Sequence, residues 1–283
     1  MIALGDVSII PKEITVTHTR DTIVNSATAT ADDGPRYDQI GGGYASTRRE
    51  DPRIRDSLLQ ALGAAKTVVN VGAGAGSYEP HDRHMLAVEP SDVMAAQRPR
   101  TMAPAIRASA GSLPLRSGSV DAAMAVLTVH HWDHEQEQGV REMRRVATGP
   151  VVILTADAEV HGSMWLMADY LPEVADLDRR IFPAIEQFSA WLGGHTRVEV
   201  LPVHRDTPDW TLMSFWAHPE RVLNARARQG TSGFARMPPE VVDRAVTAVE
   251  RDLATGIWDR RHGSLRKLDA FDAGMRLIVN TPE

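Results

Sequence analysis

The residues with the clearest chemical potential are three alternating glycines and a carboxylate that follows them. Gly72, Gly74 and Gly76 come directly after the apolar run Val68–Val71, and Glu89 closes the next apolar run, 17 positions after the first glycine. A glycine turn after a buried strand lets bare backbone amides approach a ligand closely, and a carboxylate on the neighbouring strand can bind a ribose diol. The pattern predicts a nucleoside-containing cofactor at the carboxyl ends of a parallel sheet.

The spacing of the glycines bears on which cofactor it is. A dinucleotide fingerprint has glycine or alanine in its third slot, where this chain has Ser77, so a nicotinamide cofactor is disfavoured but stays open. No Lys-Ser or Lys-Thr pair follows the glycines, which argues against a phosphate-binding P-loop.

Two adjacent histidines and an aspartate follow later strands of the predicted sheet. His130 and His131 end the predicted fourth strand, where alternation would turn only one ring toward a pocket. A histidine there could take a proton from an amine or hydroxyl. Asp157, after the fifth strand, could orient a histidine, hold an amine or cap a helix. His161 stands four positions after Asp157, but no third ligand is near, so no metal is expected.

The elements that must position these residues alternate between strand and helix patterns. Strands are predicted at about 67–71, 84–89, 104–108, 120–129 and 150–156, with a sixth at 197–203 and a seventh at 275–279. Helices are predicted within 35–65, where Asp51-Pro52 is a typical helix start. The alternation predicts an α/β fold with a doubly wound, mostly parallel seven-stranded sheet.

Long connections interrupt this pattern in its second half. We predict an N-terminal extension at 1–34, a core at 35–158, insertions at 159–196 and 206–273, and edge strands at 197–205 and 274–280 that complete the sheet. The extension could be a flexible arm or could pack on a second copy of the chain. The insertions could form a lid over an acceptor or helices that merely pack on the flank. Their aromatic residues, such as Trp210 and Trp216, could stack on a flat acceptor or fill the core.

The glycine string, Glu89 and the segment from Ser109 to Asp121 together resemble the class I S-adenosylmethionine-dependent methyltransferases. Asn70 replaces the acidic residue that usually precedes the glycines, and Ser109 replaces an aspartate that binds adenine in many members. Tyr37, Tyr44 and Arg48 add a likeness to a small-molecule branch that is similar to the ubiquinone and menaquinone methylases and common in actinobacteria.

The resemblance implies S-adenosylmethionine as cofactor, S-adenosylhomocysteine as product, and methyl transfer to the O, N or C atom of a small molecule such as a secondary metabolite. The alternative is a cyclase or binding subunit that holds the cofactor without net transfer. Within the family the second histidine commonly faces the acceptor, which makes His131 the candidate base, ahead of His130. His131 could instead only bind a carbonyl, with Trp132 over the adenine. The cofactor residues that the resemblance implies are Tyr37, Tyr44, Arg48, Asn70, Gly72, Gly74, Gly76, Glu89, Pro90, Met94, Ser109, Ala110, Leu127, Thr128 and Trp132.

The composition narrows the partners and the location. A net charge of −6 disfavours a nucleic acid partner, and no apolar run is long enough to predict a membrane span. The chain has no cysteine, which excludes disulfides and fits a cytoplasmic location. We expect a small-molecule acceptor as the main partner, and the extension could make the protein a homo-oligomer.

Overall fold

The computed structural model describes residues 49–282, all of which belong to one compact unit. The predictions for the extension 1–34 and for Tyr37, Tyr44 and Arg48 lie outside the described residues. Within the described part, no helix is long and apolar enough to cross a bilayer.

Seven strands form one sheet in the order β3-β2-β1-β4-β5-β9-β6, and β7 pairs with β8 separately. The first five are parallel, whereas β9 runs antiparallel to both β5 and β6. The predicted doubly wound fold is therefore confirmed. The strand order reverses between β1 and β4, and ligands bind at this position in open parallel sheets. The strands are β1 Thr67–Val71, β2 His84–Val88, β3 Ala105–Ile106, β4 Ala122–Val126, β5 Val151–Ala156, β6 His195–Val200, β7 Val203–His204, β8 Ala270–Phe271 and β9 Met275–Thr281.

Hydrophobic side chains cover both faces of the sheet. Val152 and Leu154 of β5 pack into a cluster on one face, and Val151 and Ile153 pack into a second cluster on the other. Every residue of β5 is buried, as expected for a central strand with helices on both sides. The carboxyl ends of β1, β4 and β5 are thereby held in fixed positions at one edge.

Helices flank the sheet and fill both predicted insertions. Asp51 caps the first helix by accepting a 3.0 Å hydrogen bond from the Arg53 backbone, which confirms the predicted start at Pro52. Trp165, Trp216 and Trp258 are buried, and Trp165 donates from its ring to the Trp216 carbonyl. The helices are α1 Pro52–Leu62, α2 Asp92–Ala96, α3 Gln136–Val146, α4 Ala158–Gly162, α5 Trp165–Asp169, α6 Pro172–Ile181, α7 Ile185–Leu192, α8 Ala225–Gln229, α9 Ser232–Ala235, α10 Pro239–Ala254 and α11 Ile257–His262.

Two strands, β4 and β6, end three residues before their predicted ends at 129 and 203. β4 stops at Val126 because Leu127 adopts a left-handed backbone (φ 51°), and residues Val129–His131 form a 3₁₀ turn. The two histidines therefore do not belong to the strand. β6 stops at Val200, before Pro202, whose missing N–H cannot extend the ladder, and the chain then pairs β7 with β8.

Candidate functional site

The glycine turn after β1 has a backbone that only glycine adopts easily. Gly72, Gly74 and Gly76 have φ values of 69°, 51° and 96°. A Cβ on Gly72 would lie 2.2 Å from the Thr128 side-chain oxygen, so no larger residue fits there without displacement. The turn therefore brings unshielded backbone close to the carboxyl end of β4.

Glu89 lies directly after β2 and faces this turn. One carboxylate oxygen accepts a 2.8 Å hydrogen bond from the Gly74 backbone N–H, and the other accepts a bond of the same length from the Ser91 backbone N–H. The side chain is buried. Because each carboxylate oxygen can accept more than one hydrogen bond, this fixed carboxylate can also accept from the hydroxyls of a ligand.

Asn70 occupies the position where an acidic residue was expected, and its amide is held in one orientation. Its Nδ2 donates to Glu79 at 3.0 Å, and Glu79 is paired with buried Arg98 at 2.8 Å. Its Oδ1 is buried and has no hydrogen-bond partner among residues 49–282. An unpaired buried acceptor is costly, so this oxygen is suited to a ligand that donates a hydrogen bond.

These groups border a first cavity of about 860 Å³ at the point where the strand order reverses. Most of the predicted cofactor residues within the described part line it, and the backbone around them adds residues that sequence reasoning missed. The lining residues are Asn70, Gly72, Ala73, Gly74, Ala75, Ser77, Tyr78, Glu89, Pro90, Ser91, Met94, Val126, Leu127, Thr128, His131 and Trp132.

Three predicted cofactor residues do not line the first cavity. Gly76 turns toward Met102, because a Cβ at Gly76 would lie 2.4 Å from the Met102 sulfur. Ser109 donates from its hydroxyl to Glu135 at 3.2 Å. Ala110 is buried against Gly139 of α3. These three residues serve packing and the local turn in this arrangement, and any contact with a cofactor stays a prediction.

His131 lines the first cavity and is hydrogen-bonded to the guanidinium of Arg236. Arg236, just after α9, donates from its guanidinium to His131 Nδ1 at 2.8 Å. A guanidinium has only donors, so Nδ1 must be the acceptor and the neutral ring carries its proton on Nε2. The arrangement uses Nδ1 as an acceptor and puts the proton of the neutral ring on Nε2, which does not favour the predicted role of base.

A second cavity of about 560 Å³ adjoins the first, since Leu127 lines both. His130 lines the second cavity and stacks on Phe182 with ring centres 4.1 Å apart. The two adjacent histidines thus face different cavities. The residues that line the second cavity are Leu127, His130, His161, Asp178, Phe182, Thr211, Leu212, Met213, Gly230, Thr231, Ser232 and Gly233.

Asp157 and His161 were paired by spacing in the sequence, but the structure separates their roles. Asp157 caps α4 by accepting from the Glu159 and Val160 backbones, and it lines neither cavity. His161 bonds instead to Asp178 of α6, from Nδ1 to a carboxylate oxygen at 2.9 Å. No local sequence signal links these two residues, which are 17 positions apart. Residues 49–282 contain no cluster of three or more metal-ligand side chains.

The chain matches a known domain family over its central part. Residues 69–150 match the family model described as a methyltransferase domain. This segment includes the glycine turn, Glu89 and both histidines, and it contains every residue that lines the first cavity. This part of the chain is therefore similar to a methyltransferase domain, and the doubly wound fold agrees with that similarity.

Solved structures with the same fold extend the comparison to the rest of the chain. A protein of Anabaena variabilis, described as a methyltransferase from an antibiotic biosynthesis pathway, is 29% identical with a TM-score of 0.76, covering 83% of this chain and 99% of that one. Phosphoethanolamine N-methyltransferase 2 of Haemonchus contortus, solved with S-adenosyl-L-methionine, is 14% identical with a TM-score of 0.54, covering 88% of this chain and 58% of that one, and shows the fold alone.

Two curated relatives are similar over a shorter stretch. The tRNA (carboxymethyluridine(34)-5-O)-methyltransferases of Xenopus tropicalis and Mus musculus are each 30% identical, over 106 and 99 residues. The matches cover 36% and 34% of this chain, but only 17% and 15% of those proteins. The chain therefore spans about a sixth of the length of the curated relatives it matches.

Proposed function

We propose that the first cavity binds S-adenosylmethionine and that the chain transfers its methyl group to a small molecule held in the second cavity. The observation that carries this proposal is that the two cavities adjoin each other. The glycine turn and Glu89 border the first cavity, and Leu127 lines both. The product cofactor is S-adenosylhomocysteine, and the accepting atom is O, N or C.

The residues that line the first cavity fit the parts of this cofactor. Glu89 would accept from the two ribose hydroxyls, and the unpaired Asn70 Oδ1 would accept from the ammonium of the methionine part. Met94 and Trp132 offer apolar surface to the adenine. The cofactor supplies the electrophilic methyl group, so the chain has to bind it, orient the acceptor and exclude water.

A small molecule is the acceptor that we favour. The Anabaena protein described as part of an antibiotic biosynthesis pathway aligns over nearly its whole length, which supports a secondary-metabolite acceptor. The relatives named for tRNA share about a third of this chain, and the net charge of −6 does not favour a polyanion. The absence of nucleic acid and membrane partners, homo-oligomer formation through 1–34, and a cytoplasmic location stay predictions.

The alternative role is a protein that keeps the cofactor without transferring its methyl group, such as a cyclase or a binding subunit. It has the same first cavity, so binding experiments do not separate the two roles. The separating measurement is the formation of S-adenosylhomocysteine in the presence of an acceptor.

Titration calorimetry of Glu89→Ala with S-adenosylhomocysteine tests the proposed cofactor site. We expect the affinity to fall by about 1–3 kcal/mol, because the ribose hydroxyls lose a charged acceptor. Glu186→Ala, which removes an exposed carboxylate from α7, is the matched control and should bind as the wild type does. Unchanged binding by Glu89→Ala, or wild-type protein that prefers NAD, would reject the assignment.

A further inference from the structure

A histidine and an aspartate form a buried pair in the wall of the second cavity. His161 of α4 and Asp178 of α6 are 4% and 5% exposed, and His161 Nδ1 lies 2.9 Å from the Asp178 carboxylate. Both side chains line the second cavity, and neither borders the first. The pair thus belongs to the space that we assign to the acceptor.

The contact with Asp178 determines which ring nitrogen carries the proton. An ionised carboxylate only accepts hydrogen bonds, so Nδ1 donates and the neutral ring has its lone pair on Nε2. Nε2 is buried and has no hydrogen-bond partner within residues 49–282. Leaving such an acceptor unpaired is unfavourable, and a hydroxyl bound in the cavity would remove that cost.

The surroundings of the pair restrict the acceptor. Leu127, Phe182 and Met213 give the cavity a mainly apolar wall, so a ligand with an apolar body fits it. Thr211 and Thr231 lie in the same lining, and their hydroxyl oxygens can accept hydrogen bonds from polar substituents. No Lys or Arg lines this cavity within the described part, so it does not suit a phosphorylated acceptor.

We propose that His161 is the general base of the transfer, that Asp178 is its positioning residue, and that the acceptor carries an acidic hydroxyl such as a phenol or enol on an apolar body. This inference rests on the proposed function. Phenols ionise near pH 10, as tyrosine does, so an imidazole can assist their deprotonation, whereas alkyl alcohols hold the proton far more tightly.

The proposed step balances in atoms and charge. The hydroxyl oxygen forms a bond to the methyl carbon while the hydroxyl proton moves to His161 Nε2. S-adenosylmethionine supplies the methyl group, and the electron pair of the broken carbon–sulfur bond stays on sulfur. One positive charge is lost at sulfur and one appears on the imidazolium, which the Asp178 carboxylate stabilises.

The test uses 4-nitrophenol, whose ionised form absorbs visible light, with the full chain saturated in S-adenosylhomocysteine. At a pH where free probe is mostly neutral, wild-type protein should bind it as the phenolate. His161→Gln should lower the bound phenolate fraction at least tenfold, and Asp178→Asn should lower it severalfold. The exposed histidine variant His195→Asn is the matched control and should behave as wild type. S-adenosylhomocysteine affinity should stay within twofold in all variants.

The outcomes separate this inference from the proposed function. Failure of wild-type protein to bind 4-nitrophenol, or equal phenolate fractions in wild type and His161→Gln, overturns the base assignment while the cofactor site stands. Loss of S-adenosylhomocysteine binding in His161→Gln or Asp178→Asn shows a structural role and also overturns it. Wild type that fails to bind S-adenosylhomocysteine overturns the proposed function itself.

A second measurement needs no variant of the pair. In wild-type protein labelled with ¹⁵N-histidine, one imidazole should have a protonated Nδ1 and an unprotonated Nε2, and should become doubly protonated when 4-nitrophenol binds. The proposal would be contradicted if no imidazole changed in this way when 4-nitrophenol binds.

Discussion

The two cavities at the carboxyl edge of the sheet are built in different ways. The first is bordered by a short glycine turn and by residues that follow β2 and β4, all of them within residues 70–132. The second is bordered by residues from segments that stretch from Leu127 to Gly233, including α4, α6 and α9. A cavity built around one local turn suits a ligand that is the same across a fold, whereas a cavity built from long insertions can differ with the acceptor.

Two histidines, one in the lining of each cavity, show the same contrast at the level of single atoms. In the first cavity His131 accepts a hydrogen bond from Arg236, and in the second His161 donates one to Asp178. The contact with a cation leaves the proton of neutral His131 on Nε2, whereas the contact with a carboxylate leaves His161 with an acceptor at Nε2. His131 is thereby suited to binding a ligand in the first cavity, and His161 is suited to accepting a proton in the second.

The largest effect that we expect comes from Gly72→Ala, which should disrupt the first cavity selectively. The new Cβ would lie 2.2 Å from the Thr128 side chain, at a φ of 69° that alanine rarely adopts. We expect calorimetry to show S-adenosylhomocysteine affinity reduced at least 100-fold, about 2.7 kcal/mol. The probe 4-nitrophenol should still bind in the second cavity.

Gly63→Ala is the matched control for the glycine turn. Gly63 ends α1 with a φ of 56°, but a Cβ there meets no heavy atom within 4 Å. The Gly63→Ala variant should be less stable than the wild type because of backbone strain, and its affinity for S-adenosylhomocysteine should be unchanged. Equal losses of affinity in the two variants would show that the strain, not the close approach to Thr128, is what matters.

Replacing His131 or His161 by alanine should affect one cavity and not the other, with smaller changes in affinity than Gly72→Ala. His131→Ala removes a donor from the first cavity, and we expect S-adenosylhomocysteine affinity to fall by about 0.5–1.5 kcal/mol. His161→Ala should leave that affinity unchanged and abolish ionisation of 4-nitrophenol. If His131→Ala instead abolished ionisation with cofactor affinity intact, the result would support the prediction that His131 is the base.

The sequence allowed the first cavity to be predicted because its chemistry depends on local constraints. A turn with positive φ values requires glycine, and a carboxylate at the end of the adjacent strand, such as Glu89, is visible in a single segment. The end of β4 was misplaced, because nothing in the apolar run up to Val129 marks the left-handed backbone of Leu127. The residues near the glycine motif were therefore easier to predict than the backbone conformation that sets the direction of their side chains.

The second cavity could not be predicted in the same way. His161 and Asp178 meet only because α4 and α6 pack against each other. The sequence shows only the spacing of Asp157 and His161, which predicts no site. The insertions were expected to hold an acceptor or to pack on the flank, and their described helices supply both a buried core and part of a cavity wall. Whether they act as a lid stays a prediction.

The smallest effect that we expect concerns Glu142, which stabilises the segment leading into β4 without lining either cavity. Its carboxylate accepts from the Leu113 backbone at 2.9 Å and from Arg145 at 2.6 Å. Glu142→Gln should lower the free energy of unfolding by about 1 kcal/mol at pH 7, measured by urea denaturation. Glu137→Gln, on the exposed side of the same helix, is the control.

The pH dependence of that loss tests its electrostatic cause. The hydrogen bond from Arg145 lowers the pKa of Glu142 below 4.5, aided by Leu113 and opposed by burial. A carboxyl whose pKa is lower in the folded state adds stability above the unfolded pKa and loses it as pH falls through the folded one. The difference between wild type and Glu142→Gln should therefore shrink as the pH falls below 4.5, while S-adenosylhomocysteine affinity at pH 7 changes less than about twofold. A difference that stays constant down to acid pH would assign the effect to packing instead, and a large loss of affinity would place the Leu113 segment in the first cavity.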